Sequence, residues 1–93
     1  MSGSARRVAT VKIGNKRGLH ARASAKVVEA AARFQSEIMF AKDGQAVNAR
    51  SIMGLMMLAA SLGSEVEISA EGPDSEEAMA AILALAAAKF GEE

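Results

Sequence analysis

The composition of this 93-residue chain limits the kinds of protein it can be. Eleven Lys and Arg residues balance eleven Asp and Glu residues, and three Phe are the only aromatic residues. A neutral chain with so few rings argues against nucleic-acid binding, which favours a basic surface and stacking rings. The absence of Cys excludes disulfides, thiol nucleophiles and Cys-ligated metals.

The first elements of the chain are predicted to be a strand and a helix. Residues 8–13 alternate between apolar and polar side chains, the pattern of a strand with one buried face. Residues 21–34 change to helical spacing, with His20 at the N-cap. The predicted inward side chains are Ala9, Val11 and Ile13 of the strand, and Ala21, Ala25, Val28, Ala31 and Ala32 of the helix.

A hairpin is predicted in the middle of the chain. Residues 37–42 alternate as a second strand. The Asp43–Gly44 pair is a strong signal for a tight turn, so residues 45–49 are predicted to be the partner strand. The inward side chains of this hairpin are predicted to be Ile38, Phe40 and Val47.

A short helix and a fourth strand follow. The helix is predicted over residues 52–62, with Ser51 as its N-cap and Gly63 as its C-terminal stop. Residues 65–70 alternate again. The predicted core residues here are Leu55 and Leu58 of the helix, and Val66, Ile68 and Ala70 of the strand.

The short helix carries more large apolar residues than one buried face can hold. We therefore expect Ile52, Met53 and Met56 to be partly exposed. Methionine is adaptable and suits a surface that docks several partners.

The last predicted element is a helix over residues 75–90 with a purely structural role. Asp74 and Glu77 are three residues apart and resemble a capping box at its start. The side chains predicted to pack at helical spacing are Ala80, Leu83, Ala84 and Ala87.

The predicted element order is βαββαβα. Each strand has one apolar face, so we expect the sheet to be covered on one side, with three helices as the cover. The predicted fold class is α+β, an open-faced α/β sandwich with a four-stranded, largely antiparallel sheet, in a single domain over residues 1–93. The first ten residues lack a signal-peptide core, and the longest apolar run, residues 78–88, is too short for a bilayer.

His20 is the only histidine, and it stands where Ser, Asp or Asn would make a better helix cap. From its position alone, a capping role and a functional role are equally open. A metal site is not expected, because no second His or Cys exists to complete a ligand set. No GxSxG motif supports a Ser–His–Asp triad.

The first turn of the helix after this histidine is a predicted anion site. Its free N–H groups, on Ala21, Arg22 and Ala23, and the helix dipole favour negative charge. The Arg22 guanidinium suits phosphate oxygens, and Lys16 and Arg17 lie just upstream. A nucleophilic histidine among anion donors is the arrangement that a transient phosphohistidine requires.

Two motifs resemble a known family. GLHARASA, residues 18–25, resembles the GLHARPA signature of HPr, the histidine-containing phosphocarrier protein of the bacterial phosphoenolpyruvate-dependent phosphotransferase system. NARSIMGLMML, residues 48–58, resembles the family's second motif, around its regulatory serine. Element order and length agree over residues 8–90.

The resemblance implies a carrier protein rather than an enzyme. His20 would accept a phosphoryl group on Nδ1 from phosphorylated enzyme I and pass it to a histidine of an enzyme IIA protein or domain, with Arg22 beside the phosphate. The resemblance implies a cytoplasmic, monomeric protein that needs no bound cofactor. The composition and ligand arguments above add that we expect no metal, no membrane partner and no nucleic-acid partner.

The second motif has two readings. Ser51 is an ordinary N-cap by its position, while the resemblance implies a site that HPr kinase/phosphorylase modifies in some branches of the family. The resemblance also implies that enzyme I and enzyme IIA proteins grip a patch on the short helix and the first helix. Ile52, Met53 and Met56 are our candidates for partner docking.

Ala23 departs from the family pattern, which usually has Pro after the arginine. Proline has no N–H and fixes φ, whereas Ala23 offers another donor to a phosphate with less rigidity. We expect transfer to remain competent.

The alternative to a carrier is a regulatory docking module of the same fold that transfers little phosphate. Retention of both His20 and Arg22 favours the carrier. A small enzyme is the weakest reading, because no paired carboxylates or metal constellation are visible. A sugar-transport branch and a nitrogen-regulatory branch both remain open.

Overall fold

The computed structural model describes residues 5–92, and its elements follow the predicted order. They are β1 (Ala5–Lys12), α1 (Ala21–Ala31), β2 (Glu37–Lys42), β3 (Gln45–Asn48), α2 (Ile52–Met57), β4 (Glu65–Gly72) and α3 (Ser75–Ala87), followed by a 3-10 turn at Lys89–Gly91. The strands form one sheet in the order β1-β4-β2-β3, with antiparallel neighbours. The predicted fold class is confirmed.

The alternation of the strands places one face of the sheet in the core, as predicted. In the central strand β4, Val66, Ile68 and Ala70 are fully buried, whereas Glu67 between them is exposed and Ser69 is half-buried. The neighbouring β2 places its two inward residues opposite two of these, in the pairs Ile38 with Ala70 and Phe40 with Ile68. Ile13, directly after β1, is buried as well.

The buried face of α1 differs from the predicted one. Ala23, Ser24, Val27 and Ala31 are buried, whereas Ala21, Ala25 and Ala32 are exposed and Val28 is half-buried. Alanine occurs on every side of this helix and loses little when exposed, so its spacing does not define a face. The larger Val27 side chain, which contacts the core, sets the rotation of the helix.

The second helix ends at Met57, before the Gly63 stop that the sequence suggested. Ala59 has a left-handed φ of 54°, which ends the helix. The Ala60 carbonyl then accepts a hydrogen bond from the Leu19 N–H at 2.9 Å. A continuing helix would use that carbonyl within its own ladder, so the contact with the loop before α1 accounts for the early end. Leu55 is buried, as predicted.

The last helix also buries a different face and ends earlier than predicted. Ser75, Ala78, Met79 and Ile82 are buried, whereas Ala80, Ala84 and Ala87 are exposed and Leu83 is half-buried. After Ala87 the chain leaves the helix, because Lys89 and Phe90 have positive φ values of 57° and 56°. This turn returns the Phe90 ring to the core, where it is 1% exposed.

The predicted capping box at the start of α3 is not formed. The Asp74 carboxylate makes no cap hydrogen bond. It accepts instead from the Ser36 hydroxyl at 2.6 Å and from the backbone N–H groups of Gln35 and Ser36, both at 2.9 Å. These hydrogen bonds, led by that of the Ser36 hydroxyl, lower the pKa of Asp74 and tie the start of α3 to the start of β2.

Candidate functional site

The loop before α1 is pinned against the segment that follows α2. Gly18 has a φ of 65°, and a Cβ there would collide with the Ala60 carbonyl oxygen and lie 2.8 Å from the Ser61 Cα. Only glycine therefore fits this close approach. Together with the Leu19–Ala60 hydrogen bond, the contact fixes where His20 enters the helix.

His20 is the N-cap of α1, as predicted. Its backbone is extended, and its carbonyl accepts the first helical hydrogen bond from the Ser24 N–H at 2.8 Å. Its Nδ1 accepts from the Arg22 N–H at 3.3 Å. Because Nδ1 is the acceptor, it carries a lone pair rather than a proton in this arrangement. The lone pair faces the first turn of the helix.

The other ring nitrogen of His20 faces a carboxylate. Nε2 lies 2.7 Å and 2.9 Å from the two carboxylate oxygens of Glu92. An ionised carboxylate only accepts hydrogen bonds, so Nε2 is the donor. The hydrogen bond from His20 is the main cause of a lowered pKa for Glu92, with smaller contributions from Asn15 and the charge of Arg22.

Asn15 anchors the Glu92 carboxylate. Its side chain is fully buried, and its Nδ2 donates to Glu92 Oε1 at 2.9 Å and to the Gly18 carbonyl at 2.8 Å. Sequence reasoning missed both Asn15 and Glu92. Glu92 lies 72 positions after His20, and no spacing pattern connects them.

Cationic side chains surround this network. A surface groove of about 490 Å³ is lined by Lys16, Arg17, Arg22, Gly91 and Glu92. The Arg22 and Ala21 side chains are exposed, whereas the Ala23 side chain is fully buried. The predicted cations and first-turn residues therefore lie together at one end of α1. Within residues 5–92, no group of three or more His, Asp or Glu side chains could hold a metal ion.

Ser51 caps α2, as predicted. Its Oγ accepts from the Gly54 N–H at 2.9 Å. The guanidinium of the preceding residue, Arg50, donates to the carbonyls of Ala31 and Phe34 at the end of α1. Ser51 and the His20 network therefore lie in separate hydrogen-bonding systems.

The exposed side of α2 forms an apolar surface. Ile52, Met53 and Met56 are exposed by 42%, 73% and 44%, in agreement with the sequence-based expectation. Met57, 63% exposed, completes a shallow groove with them, and sequence analysis did not single it out. We call these four residues the α2 apolar patch.

Comparison with known protein families identifies the family that contains both the His20 motif and the Ser51 motif. The family model described as the PTS HPr component phosphorylation site matches residues 8–88. The chain belongs to the HPr family. The resemblance in the GLHARASA and NARSIMGLMML motifs is thereby confirmed. HPr proteins are phosphocarriers of the phosphotransferase system.

Individual HPr proteins resemble this chain over most of their length. The phosphocarrier protein HPr of Cupriavidus necator is 55% identical over 78 residues, which cover 84% of this chain and 88% of that protein. The crystal structure of HPr from Thermoanaerobacter tengcongensis is 50% identical, with a TM-score of 0.89, and covers 94% of this chain and 98% of its own.

The catabolite repression protein Crh is also similar to this chain in sequence and structure. Crh of Bacillus subtilis, a catabolite repression protein, is 47% identical over 89% of this chain and 92% of its own, with a TM-score of 0.66. Its crystal structure is a domain-swapped dimer.

Among residues 5–92, no helix is long and apolar enough to cross a membrane.

Proposed function

We propose that this member of the HPr family carries a phosphoryl group on His20 Nδ1 between phosphorylated enzyme I and a histidine of an enzyme IIA protein. The observation that supports this most directly is the state of the His20 ring. Its Nε2 faces the Glu92 carboxylate, and its Nδ1 accepts from the Arg22 N–H. Nδ1 therefore has the free electron pair that a nucleophile needs.

The transfer is an exchange of one nitrogen–phosphorus bond for another. The Nδ1 electron pair attacks phosphorus, and the bond to the donor histidine of enzyme I breaks, with its electron pair returning to that donor. In the second transfer, the Nδ1–phosphorus bond breaks and its electron pair returns to His20. The protein acts as a carrier, and the step requires no cofactor.

The proposed site favours the phosphorylated state through charge. The phosphoryl group brings a charge of about −2 to the start of α1. The helix dipole contributes about 0.3–1 kcal/mol there, and a hydrogen bond from Arg22 about 1.5–3 kcal/mol. The N–H groups of Ala21 and Ala23 are further donors in this proposal, and the buried Ala23 methyl group keeps that turn packed.

We propose that the α2 apolar patch docks both partners. Ile52, Met53 and Met56 offer an adaptable apolar surface with no charge of its own. Phosphorylation of Ser51 by HPr kinase/phosphorylase would place a charge of about −2 at the edge of this patch and weaken docking.

We further propose that the protein is cytoplasmic and monomeric. Size-exclusion chromatography tests the monomer against a domain-swapped dimer such as that of Crh.

The experiment that tests the carrier is intact-mass spectrometry after incubation with phosphoenolpyruvate, Mg²⁺ and enzyme I. The native chain and His20→Ala are compared. We expect one phosphate on the native chain, lost in mild acid and absent from the variant. A native chain that takes up no phosphate from a cognate enzyme I would instead support the regulatory docking module of the same fold.

A further inference from the structure

Half of the methionines of this chain lie side by side on α2. The chain has six methionines, and three of them are Met53, Met56 and Met57. Together with Ile52 they line a shallow groove of about 470 Å³. Residues four apart are neighbours on a helix, so Ile52 with Met56 and Met53 with Met57 form two adjacent rows. Three of the four side chains in the α2 apolar patch are therefore thioethers.

These three thioethers are open to solvent. Their side chains belong to residues that are between 44% and 73% exposed. Among residues 5–92, the remaining methionines are Met39, which is half-buried on the sheet, and Met79, which is 6% exposed in the core. A small oxidant dissolved in water therefore reaches the sulfur atoms of the patch before it reaches that of Met79.

A peroxide converts a thioether to a sulfoxide in one balanced step. The sulfur electron pair attacks one peroxide oxygen, an S–O bond forms, the O–O bond breaks, and the second oxygen leaves as water with both protons. Sulfur loses the two electrons that the peroxide gains. The product is a polar, chiral side chain in place of a flexible apolar one, a change that disrupts surfaces rich in methionine.

We propose that the α2 apolar patch is a site of reversible oxidation, at which peroxide converts Met53, Met56 and Met57 to sulfoxides and so weakens partner docking. This inference rests on the proposed docking role of the patch. Docking would remove the sulfoxide oxygens from water, and burial of a polar group without a hydrogen bond is unfavourable. Methionine sulfoxide reductases, one for each epimer, restore the thioether. A dithiol supplies the two electrons and becomes a disulfide, and the oxygen leaves as water.

Oxidation of the patch changes neither the packing of α2 nor the His20 site. The helix is held to the core by Leu55, which is fully buried, and capped by the hydrogen bond from the Gly54 N–H to Ser51 Oγ. No sulfur atom takes part in the contacts that hold the His20 ring. A sulfoxide also carries no net charge, so its effect on docking is not screened by salt, in contrast to a phosphate on Ser51.

The test measures transfer kinetics before and after exposure to hydrogen peroxide. It uses the native chain, a triple variant with Met53→Leu, Met56→Leu and Met57→Leu, and the matched control Met39→Leu, which keeps the patch. Leucine has nearly the volume of methionine and no sulfur. Catalase removes the peroxide before enzyme I is added, so that only the carrier is oxidised. Peptide mass spectrometry locates each added oxygen.

We expect the native chain and Met39→Leu to gain oxygen on the three patch methionines before Met79. Their KM for phosphorylation by enzyme I should then rise roughly tenfold with kcat unchanged, because polar groups are buried without partners. The factor should be the same at low and high salt, and sulfoxide reductases with a dithiol should reverse it. The KM of the triple variant should not depend on peroxide. Unfolding midpoints before and after oxidation should agree, which separates docking from stability.

A KM that is unchanged in the oxidised native chain, that rises equally in the triple variant or that the reductases do not restore would overturn this role of the patch. Earlier oxidation of Met79, or a lower unfolding midpoint, would place the effect in the core and overturn it as well. Failure of the proposed docking role appears separately, as unchanged kinetics in untreated Ile52→Asp. A native chain that enzyme I does not phosphorylate would overturn the carrier function itself.

Discussion

The His20 site and the α2 apolar patch are assembled in different ways. The His20 network joins Asn15, the start of α1 and Glu92, which lies 72 positions further along the chain. The patch and its Ser51 cap lie within seven consecutive residues of one short helix. The first region is polar and depends on long-range contacts, whereas the second is apolar and local. We therefore expect substitutions that loosen the packing of the core to impair phosphoryl transfer at His20 more than partner docking at the α2 apolar patch.

The largest effect is expected from Phe90→Ala. Removal of this buried ring leaves a cavity, and we expect a loss of about 3–5 kcal/mol in the free energy of unfolding, measured by chemical denaturation. Glu92 should also detach from His20, which would appear as a mixture of ring tautomers in the variant that remains folded. Met57→Ala, at an exposed position, is the control. Equal stability of the two variants would mean that Phe90 does not anchor the segment.

A smaller effect is expected from Ile52→Asp, which puts a charge into the patch. Because docking would then desolvate a carboxylate, we expect the KM for transfer from enzyme I to rise roughly tenfold, or about 1.4 kcal/mol, with the fold intact. Leu62→Asp is the matched control, since Leu62 is 57% exposed but lies outside the patch. Unchanged transfer kinetics in Ile52→Asp would remove the patch from the proposed function.

Ser51→Ala tests the local cap alone. The hydrogen bond to the Gly54 N–H is lost, and we expect a decrease of ~1 kcal/mol in the free energy of unfolding. Phosphorylation of His20 should be unaffected, because the two sites share no hydrogen bond. Ser61→Ala, on the exposed turn after α2, is the control. A Ser51→Ala variant as stable as this control would contradict the capping contribution.

Acidic pH should change the His20 network and leave the α2 apolar patch unchanged. The folded pKa of Glu92 is lowered below its ordinary value of 4.5, mainly by the hydrogen bond from His20. Its stabilising contribution is therefore complete above pH 4.5 and is lost as the pH falls through the lower folded value. In an NMR titration, the Gly91 and Glu92 amide signals should move in that range. The methyl signals of Met53 and Met56, which lie in a patch without titratable groups, should not, and a parallel shift of both sets would argue against independent regions.

The smallest effect is expected from Ala23→Pro. The Ala23 N–H lies in the first turn of α1, where no helical carbonyl is available to it, so proline removes only a donor to the phosphate and fixes φ. We expect the phosphorylation rate to change by no more than about twofold. A substantially faster variant would show that rigidity of this turn outweighs the extra donor.

Much of the fold follows from local patterns in the sequence. Alternation located β1, β2 and β4 and buried residues such as Ile38, Phe40 and Ile68, and the Asp43–Gly44 turn signal located β3. The predicted buried faces of α1 and α3 were wrong. Both helices are rich in alanine, which can be buried or exposed to water at little cost in free energy. The end of α2 was wrong as well, because it depends on the contact between Leu19 and Ala60 in another part of the fold.

For the candidate site, the sequence alone determined the family, the position of His20 at a helix N-terminus and the cations around it. These features come from neighbouring residues, whose spacing and backbone groups are fixed along the chain. Only the tertiary structure decided which groups hold the ring. Glu92 meets Asn15 and His20 because the Phe90 turn brings the end of the chain back to the start of α1. Such a return depends on packing in the core, for which local sequence carries no signal.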